Sequence, residues 1–147
     1  MAGMTVVRWV AGALAAAVGG ALLLRSRYVA VKVDGASMEP TLHTGDWVLV
    51  HRVRIDRVQR DQIVVFEHPD RHETGNPPWL IKRTLALPGD EVPRDQVPAL
   101  RHNEERRVPP GALVVLGDNT LASFDSRQAG YFAADTLLGV VVRKLRL

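Results

Sequence analysis

The chemistry open to this chain begins with what it lacks. Its 147 residues include no cysteine, which excludes a thiol nucleophile, a thiolate zinc site and a disulfide framework. Hydroxyls remain, and one serine stands in unusual company. Ser37 lies in "DGASMEPTLHTGDWVLV", Asp34 to Val50. There Gly35 permits unusual backbone angles, Ala36 keeps the approach open and Pro40 stiffens the exit. Such a turn can present a hydroxyl, or it can simply reverse the chain. A serine nucleophile also needs a base within reach and N–H donors facing the developing oxyanion.

Histidine is the usual base, yet His43, His51, His68, His72 and His102 stand in no recognisable catalytic context. His68 and His72 have the spacing of helical metal ligands, but Pro69 and the loop composition argue against zinc. The other base is lysine, and only Lys32, Lys82 and Lys144 exist. Lys82 sits in "WLIKRTLAL", a run apolar enough for a core strand. An amine titrating near its ordinary value of about 10.4 is a poor base at neutral pH. Burial disfavours the ammonium, and a drop of about two units corresponds to roughly 2.7 kcal/mol. Neighbours in a strand face opposite sides, so Lys82 can enter an apolar site while Arg83 pairs with a carboxylate. Taken singly, a turn serine and a strand lysine reaching for water remain the plainer readings.

The elements that must position these residues come next. From Trp9 to Leu24, "WVAGALAAAVGGALLL" carries no charge. With Met4 to Arg8 added it reaches about 31 Å, enough for the ~30 Å hydrocarbon core. A membrane span is expected; a cleaved leader and a buried core helix are the alternatives. Arg8 and the α-amino group precede the span, while Arg25, Arg27 and Lys32 follow it, a balance leaning slightly toward a cytoplasmic C-terminal domain. Beyond Arg27 come runs rich in β-branched residues: Tyr28–Val33, Trp47–Val53, Gln62–His68, Trp79–Leu87, Ala112–Gly117 and Leu137–Leu147. Turn signals separate them, including Gly45-Asp46, Pro88-Gly89-Asp90 and Pro109-Pro110-Gly111. The expected fold is mostly β, a coiled antiparallel sheet or barrel following one N-terminal transmembrane helix. Residues 1–27 are expected to form the anchor and 28–147 a β domain, the catalytic one if Ser37 and Lys82 meet in it. Arg94–Arg107 reads as an exposed excursion and residues 69–78 as a loop. Basic and acidic residues are interspersed, the formal net charge is +3 and aromatics are 5%, which speaks against a nucleic-acid partner.

Several stretches now gain meaning in their order. "SMEPTL" followed by "GD", then "IKRTLALPGD", then "LGDN" and "SFDSRQAG" resemble the successive boxes of type I signal peptidases. These are membrane-anchored serine proteases of family S26 that use a Ser-Lys dyad. The resemblance covers residues 31–142. It implies a β-rich catalytic fold, cleavage of leader peptides after small residues, and no metal or cofactor. It implies Ser37 as nucleophile, with its own N–H toward the oxyanion, and Lys82 as general base. Ser123 would orient the lysine amine, Asp125 and Arg127 would brace the site, and Asp118 with Arg83 would form a second brace. Gly35 stands where some members carry a second oxyanion donor. Val31, Val33, Met38, Leu42, Leu80 and Ile81 would line the pocket for small side chains.

The short stretch between Asp90 and Gly117 resembles minimal members: mitochondrial inner-membrane peptidase subunits and nickel superoxide dismutase maturation proteases. A dedicated maturase for one precursor is therefore an alternative, as is a self-cleaving protein of the LexA type. The expected partners are precursor leader peptides and the lipid membrane, with a further subunit left open. The expected location is a cell membrane, crossed once, with the catalytic domain on the extracytoplasmic side.

Overall fold

The structure is a computed structural model, and it describes residues 2–68 and 77–145. Alanine and leucine, strong helix formers, outnumber the glycines in α1, Ala2–Arg27, a helix of 26 residues. It ends where the chain turns β-branched, and Arg25 and Arg27 in its last turn suit the negative end of the helix dipole. Its described side chains are largely exposed, with Leu14, Leu22, Leu23 and Leu24 each more than 60% accessible. Among the described residues, no helix is long and apolar enough to cross a membrane.

The β-branched runs become strands: β1 (Tyr28–Lys32), β2 (Trp47–His51), β3 (Ile63–Glu67), β4 (Trp79–Ala86), β5 (Ala112–Leu116), β6 (Phe132–Ala133) and β7 (Leu137–Leu145). They form one antiparallel sheet in the order β1-β2-β7-β3-β4-β5-β6, curled into a half-barrel. Register shifts at Leu49/Val50, Val65/Phe66 and Thr84/Ala86 mark where the ladders bend; irregularities of this kind increase twist and curvature. Gly139 lets β7 close on β2. A Cβ there would stand 2.0 Å from the His51 carbonyl oxygen, a distance no side chain tolerates.

Alternation sorts the strand residues into separate cores. Val31, Val33, Met38, Leu42, Val48, Val50, Val65, Ile81 and Leu138 pack on one side. Val58, Val64, Phe66, Leu113, Val115 and Val140 pack on the other. Fully buried side chains of this size stabilise by about 1.5–3 kcal/mol each. Contrary to the reading of Arg94–Arg107 as a purely exposed excursion, Val97 and Leu100 are 0% and 3% accessible and form a third cluster with Ala86, Val92, Val108 and Val114. Val97, just before the 3-10 turn Pro98–Leu100, and Leu100 at its end anchor this otherwise charged stretch. Most of the loop at residues 69–78, His72 included, lies outside the described residues.

Candidate active site

Ser37 sits on the turn between β1 and β2. Gly35 has φ of 100°, a conformation that costs a side-chain-bearing residue energy. The turn closes through Glu39 N–H to the Ala36 carbonyl and Leu42 N–H to the Met38 carbonyl. Met38, completely buried, holds it against the core. The carbonyl of Ser37 accepts the Asn119 N–H at 2.9 Å, and among the described residues no backbone carbonyl takes the N–H of Ser37. The hydroxyl of Thr41 donates to Asp118. The serine turn is thus tied twice to the segment that follows β5.

Lys82 comes from the middle of β4, opposite Val64 of β3. It is 3% accessible, and its Nζ lies 3.0 Å from Ser37 Oγ. The two residues are 45 positions apart in the chain. Burial pushes the amine below the ordinary lysine value; the nearby Asp125 carboxylate pulls it back up and the Arg127 guanidinium pushes it down, leaving it lowered. When the amine is neutral, the same short contact lets the serine hydroxyl donate to the nitrogen lone pair.

Asp125 is fully buried and caps α2, the single turn Ser126–Ala129. Its Oδ1 accepts from the Arg127 N–H and Nε, each at 3.0 Å, and its Oδ2 accepts from Arg127 Nη2 at 2.6 Å. Gly117 N–H and Ser123 Oγ also donate to Oδ2, at 2.8 and 2.7 Å. Burial alone would raise this carboxyl; the Arg127 side chain, the Gly117 N–H, the Ser123 hydroxyl and the Arg127 N–H outweigh it and hold the group ionised. Ser123 thus donates to the carboxylate whose charge acts on Lys82.

Arg83 faces away from Lys82, as strand alternation requires. Its Nε and Nη2 donate to the two oxygens of Asp118 at 2.8 and 2.7 Å, and its Nη1 to the Asp61 carbonyl at 2.8 Å. The Arg83 guanidinium, by hydrogen bonding, holds the Asp118 carboxyl below the ordinary value. This two-pronged pair locks the loop whose Asn119 and Asp118 grip the serine turn.

A cavity of about 600 Å³ opens beside Ser37 and Lys82. Asp34, Gly35, Ala36, Phe66, Leu80, Phe124, Tyr131 and Phe132 are among its walls, and His68 lies on it too. Of the six residues expected to line a pocket, Leu80 does so. Val31, Val33, Met38, Leu42 and Ile81 instead pack in the core on one side of the sheet, none more than 6% accessible. The physical reason for Ile81 is plain: it neighbours Lys82 in a strand and must point the other way.

Sequence reasoning missed three supports. Gly117 is the most telling, because a Cβ there would meet Ser123 Oγ at 2.1 Å and the Ser37 carbonyl oxygen at 2.6 Å. Its signal was a glycine closing a β-branched run just before Asp118. Asn119 belongs to the same "LGDN" run. Thr41 had no signal beyond its nearness to Ser37.

Buried amine, serine hydroxyl and ionised brace form the arrangement of a lysine-assisted serine hydrolase. Known proteins with similar sequences identify the family. The family model described as "Signal peptidase, peptidase S26" matches residues 6–97 and 93–145. The chain is similar to Signal peptidase I of Bacillus caldolyticus, 31% identical, with 82% of this chain and 79% of the relative covered. Signal peptidase I V of Bacillus subtilis is 31% identical over 78% of this chain and 83% of its own length. Signal peptidase I S of the same organism is 32% identical over 92% and 86%. The chain therefore belongs to the type I signal peptidases of family S26, which are serine endopeptidases.

Proposed function

We propose that this chain is a membrane-anchored endopeptidase that removes N-terminal leader peptides after small residues, with Ser37 as nucleophile and Lys82 as general base. The observation that carries the reading is the 3.0 Å approach of a buried amine to the serine hydroxyl. Neutral Lys82 takes the Ser37 proton as Oγ bonds to the scissile carbonyl carbon. The Ser37 N–H donates to the oxyanion. Collapse breaks the peptide C–N bond, and the ammonium returns its proton to the leaving amine. Water then attacks the acyl ester as it gives a proton to Lys82; the ester C–O bond breaks, the ammonium returns that proton to Ser37 Oγ, and the carboxylic acid product leaves. Asp125 and Arg127 keep the lysine end of the site ordered, while Arg83 and Asp118 keep the serine turn in place.

The cavity supports an extended substrate segment lying beside the dyad, with its apolar wall of Phe66, Leu80 and Phe132 suited to an apolar leader. The anchor is α1 taken over its whole length, 26 residues or about 39 Å at 1.5 Å per residue. The deciding experiment compares precursor cleavage by wild type, Ser37→Ala and Lys82→Ala in detergent, with the new N-terminus identified by mass spectrometry. Only the wild type should cleave, and replacing the small residue before the scissile bond by Trp should stop it. Equal processing by all three proteins defeats the proposal.

A further inference from the structure

The chain carries its charge unevenly. Arg25 and Arg27 end α1, and Arg52, Arg54 and Arg57 follow β2. The fold joins the two groups. The Arg52 N–H donates to the Arg27 carbonyl at 2.8 Å, and the Tyr28 and His51 rings stack with centroids 4.7 Å apart. Arg27, Arg52, Arg54 and Arg57 line one open hollow of about 640 Å³. Asp56 is the acidic residue there. It stands 3.8 Å from both Arg54 and Arg57, in pairs exposed at 64% or more on each side, so it neutralises little. The chain has 19 Lys and Arg against 16 Asp and Glu. Setting aside these five arginines and Asp56 leaves 14 against 15. The whole positive excess of the molecule lies in this corner.

Its neighbour is apolar. Leu22, Leu23 and Leu24 are each more than 60% exposed and directly precede Arg25. A band of exposed leucines followed at once by a shelf of guanidinium groups is the order met on passing from hydrocarbon to headgroup phosphate. Arginine forks match phosphate oxygens two at a time, more specifically than lysine would.

We propose that this corner binds the phosphates of anionic lipid headgroups in the leaflet facing the β domain. The inference rests on the membrane anchor of the proposed function. It adds a second attachment, one that fixes the β domain close to the bilayer surface and makes that contact depend on lipid charge and salt.

The test uses the full chain in neutral detergent micelles doped with phosphatidylcholine or phosphatidylglycerol, with thermal unfolding as the readout. Phosphatidylglycerol should raise the Tm of the wild type and phosphatidylcholine should not, with the gain shrinking in high salt. The variant Arg52→Gln/Arg54→Gln/Arg57→Gln should need about a hundredfold more phosphatidylglycerol for half the gain, at about fivefold per arginine. It should cleave precursor as the wild type does in neutral micelles. An unchanged titration in that variant overturns the inference, as does an equal Tm gain from inorganic phosphate at the same phosphate concentration. Flotation with neutral phosphatidylcholine vesicles judges the anchor by itself. A wild-type chain that fails to float refutes the anchor, and with it the placement at a leaflet, whatever the titration gives.

Discussion

Gly117→Ala offers a sharp probe of how the dyad is held. The added Cβ would stand 2.6 Å from the Ser37 carbonyl oxygen and 2.1 Å from Ser123 Oγ, where ordinary contact begins at 3.4 Å. The serine backbone must therefore retreat by about 0.8 Å and the Ser123 hydroxyl by more. Neither is free to move. The Ser37 carbonyl is bonded to the Asn119 N–H at 2.9 Å, and Ser123 is bonded to Asp125 at 2.7 Å. Misplacing a catalytic group by about 1 Å can cost on the order of a hundredfold in rate, whereas overpacking of this kind costs about 1–3 kcal/mol of stability. The expected variant is folded at room temperature with kcat down about a hundredfold. Single-turnover cleavage of a leader peptide, with thermal unfolding in parallel, separates the two effects. Gly12→Ala, with nothing within 4 Å of the added carbon, is the control and should cleave normally. Wild-type kcat in Gly117→Ala would refute the close-approach argument.

The remaining predictions follow the same geometry. In the proposed mechanism activity needs the neutral amine, so the rate should rise with pH through a Lys82 value below the ordinary 10.5. Asp125→Asn removes the charge that pulls this value up and should move the limb to lower pH, read from kcat/KM profiles. Because the unfolded chain binds a proton that native Lys82 refuses, native stability falls as pH drops from 10.5 toward the lowered value. Lys82→Met should flatten that slope and raise Tm at neutral pH while abolishing cleavage, as pH-dependent denaturation will show. The hydroxyl of Thr84 is buried and has no partner among the described residues, and Thr84→Val should stabilise by about 1 kcal/mol in urea titrations, since it removes an unsatisfied polar group. Asp118→Asn weakens the two-pronged bond to Arg83 and the tie to Thr41; it should cost about 1.5–3 kcal/mol and lower kcat as the serine turn loosens.

Much of the scaffold was legible because β-branched runs and turn glycines are local signals. Six such runs became β1 to β5 and β7, with the ends of β1 to β5 trimmed by one or two residues. The two-residue β6 and the one-turn α2 carry no periodicity. Their existence depends on tertiary support, with α2 closed by the reciprocal Asp125 and Gln128 contacts. The ordered boxes pointed to the residues that the structure draws together: Ser37 and Lys82 at the centre, with Asp125, Arg127, Arg83 and Asp118 around them. The pocket lining was less accessible. Alternation places Leu80 with Lys82 and turns Ile81 away, and that local rule outranks apolarity near the dyad. Phe66 of β3 and the neighbouring Tyr131 and Phe132 reach the cavity from two other parts of the chain, a pairing only the sheet order reveals. Val97 and Leu100 were hidden by the charges around them.

The chain has three lysines, Lys32, Lys82 and Lys144, so an NMR titration of 13Cε-labelled lysine can follow each amine separately. The resonance missing from Lys82→Ala should lose its proton below the ordinary lysine value of 10.5 as the solution is made alkaline. If that resonance titrates at the ordinary value, Lys82 is charged at working pH and has no capacity to take a proton from Ser37.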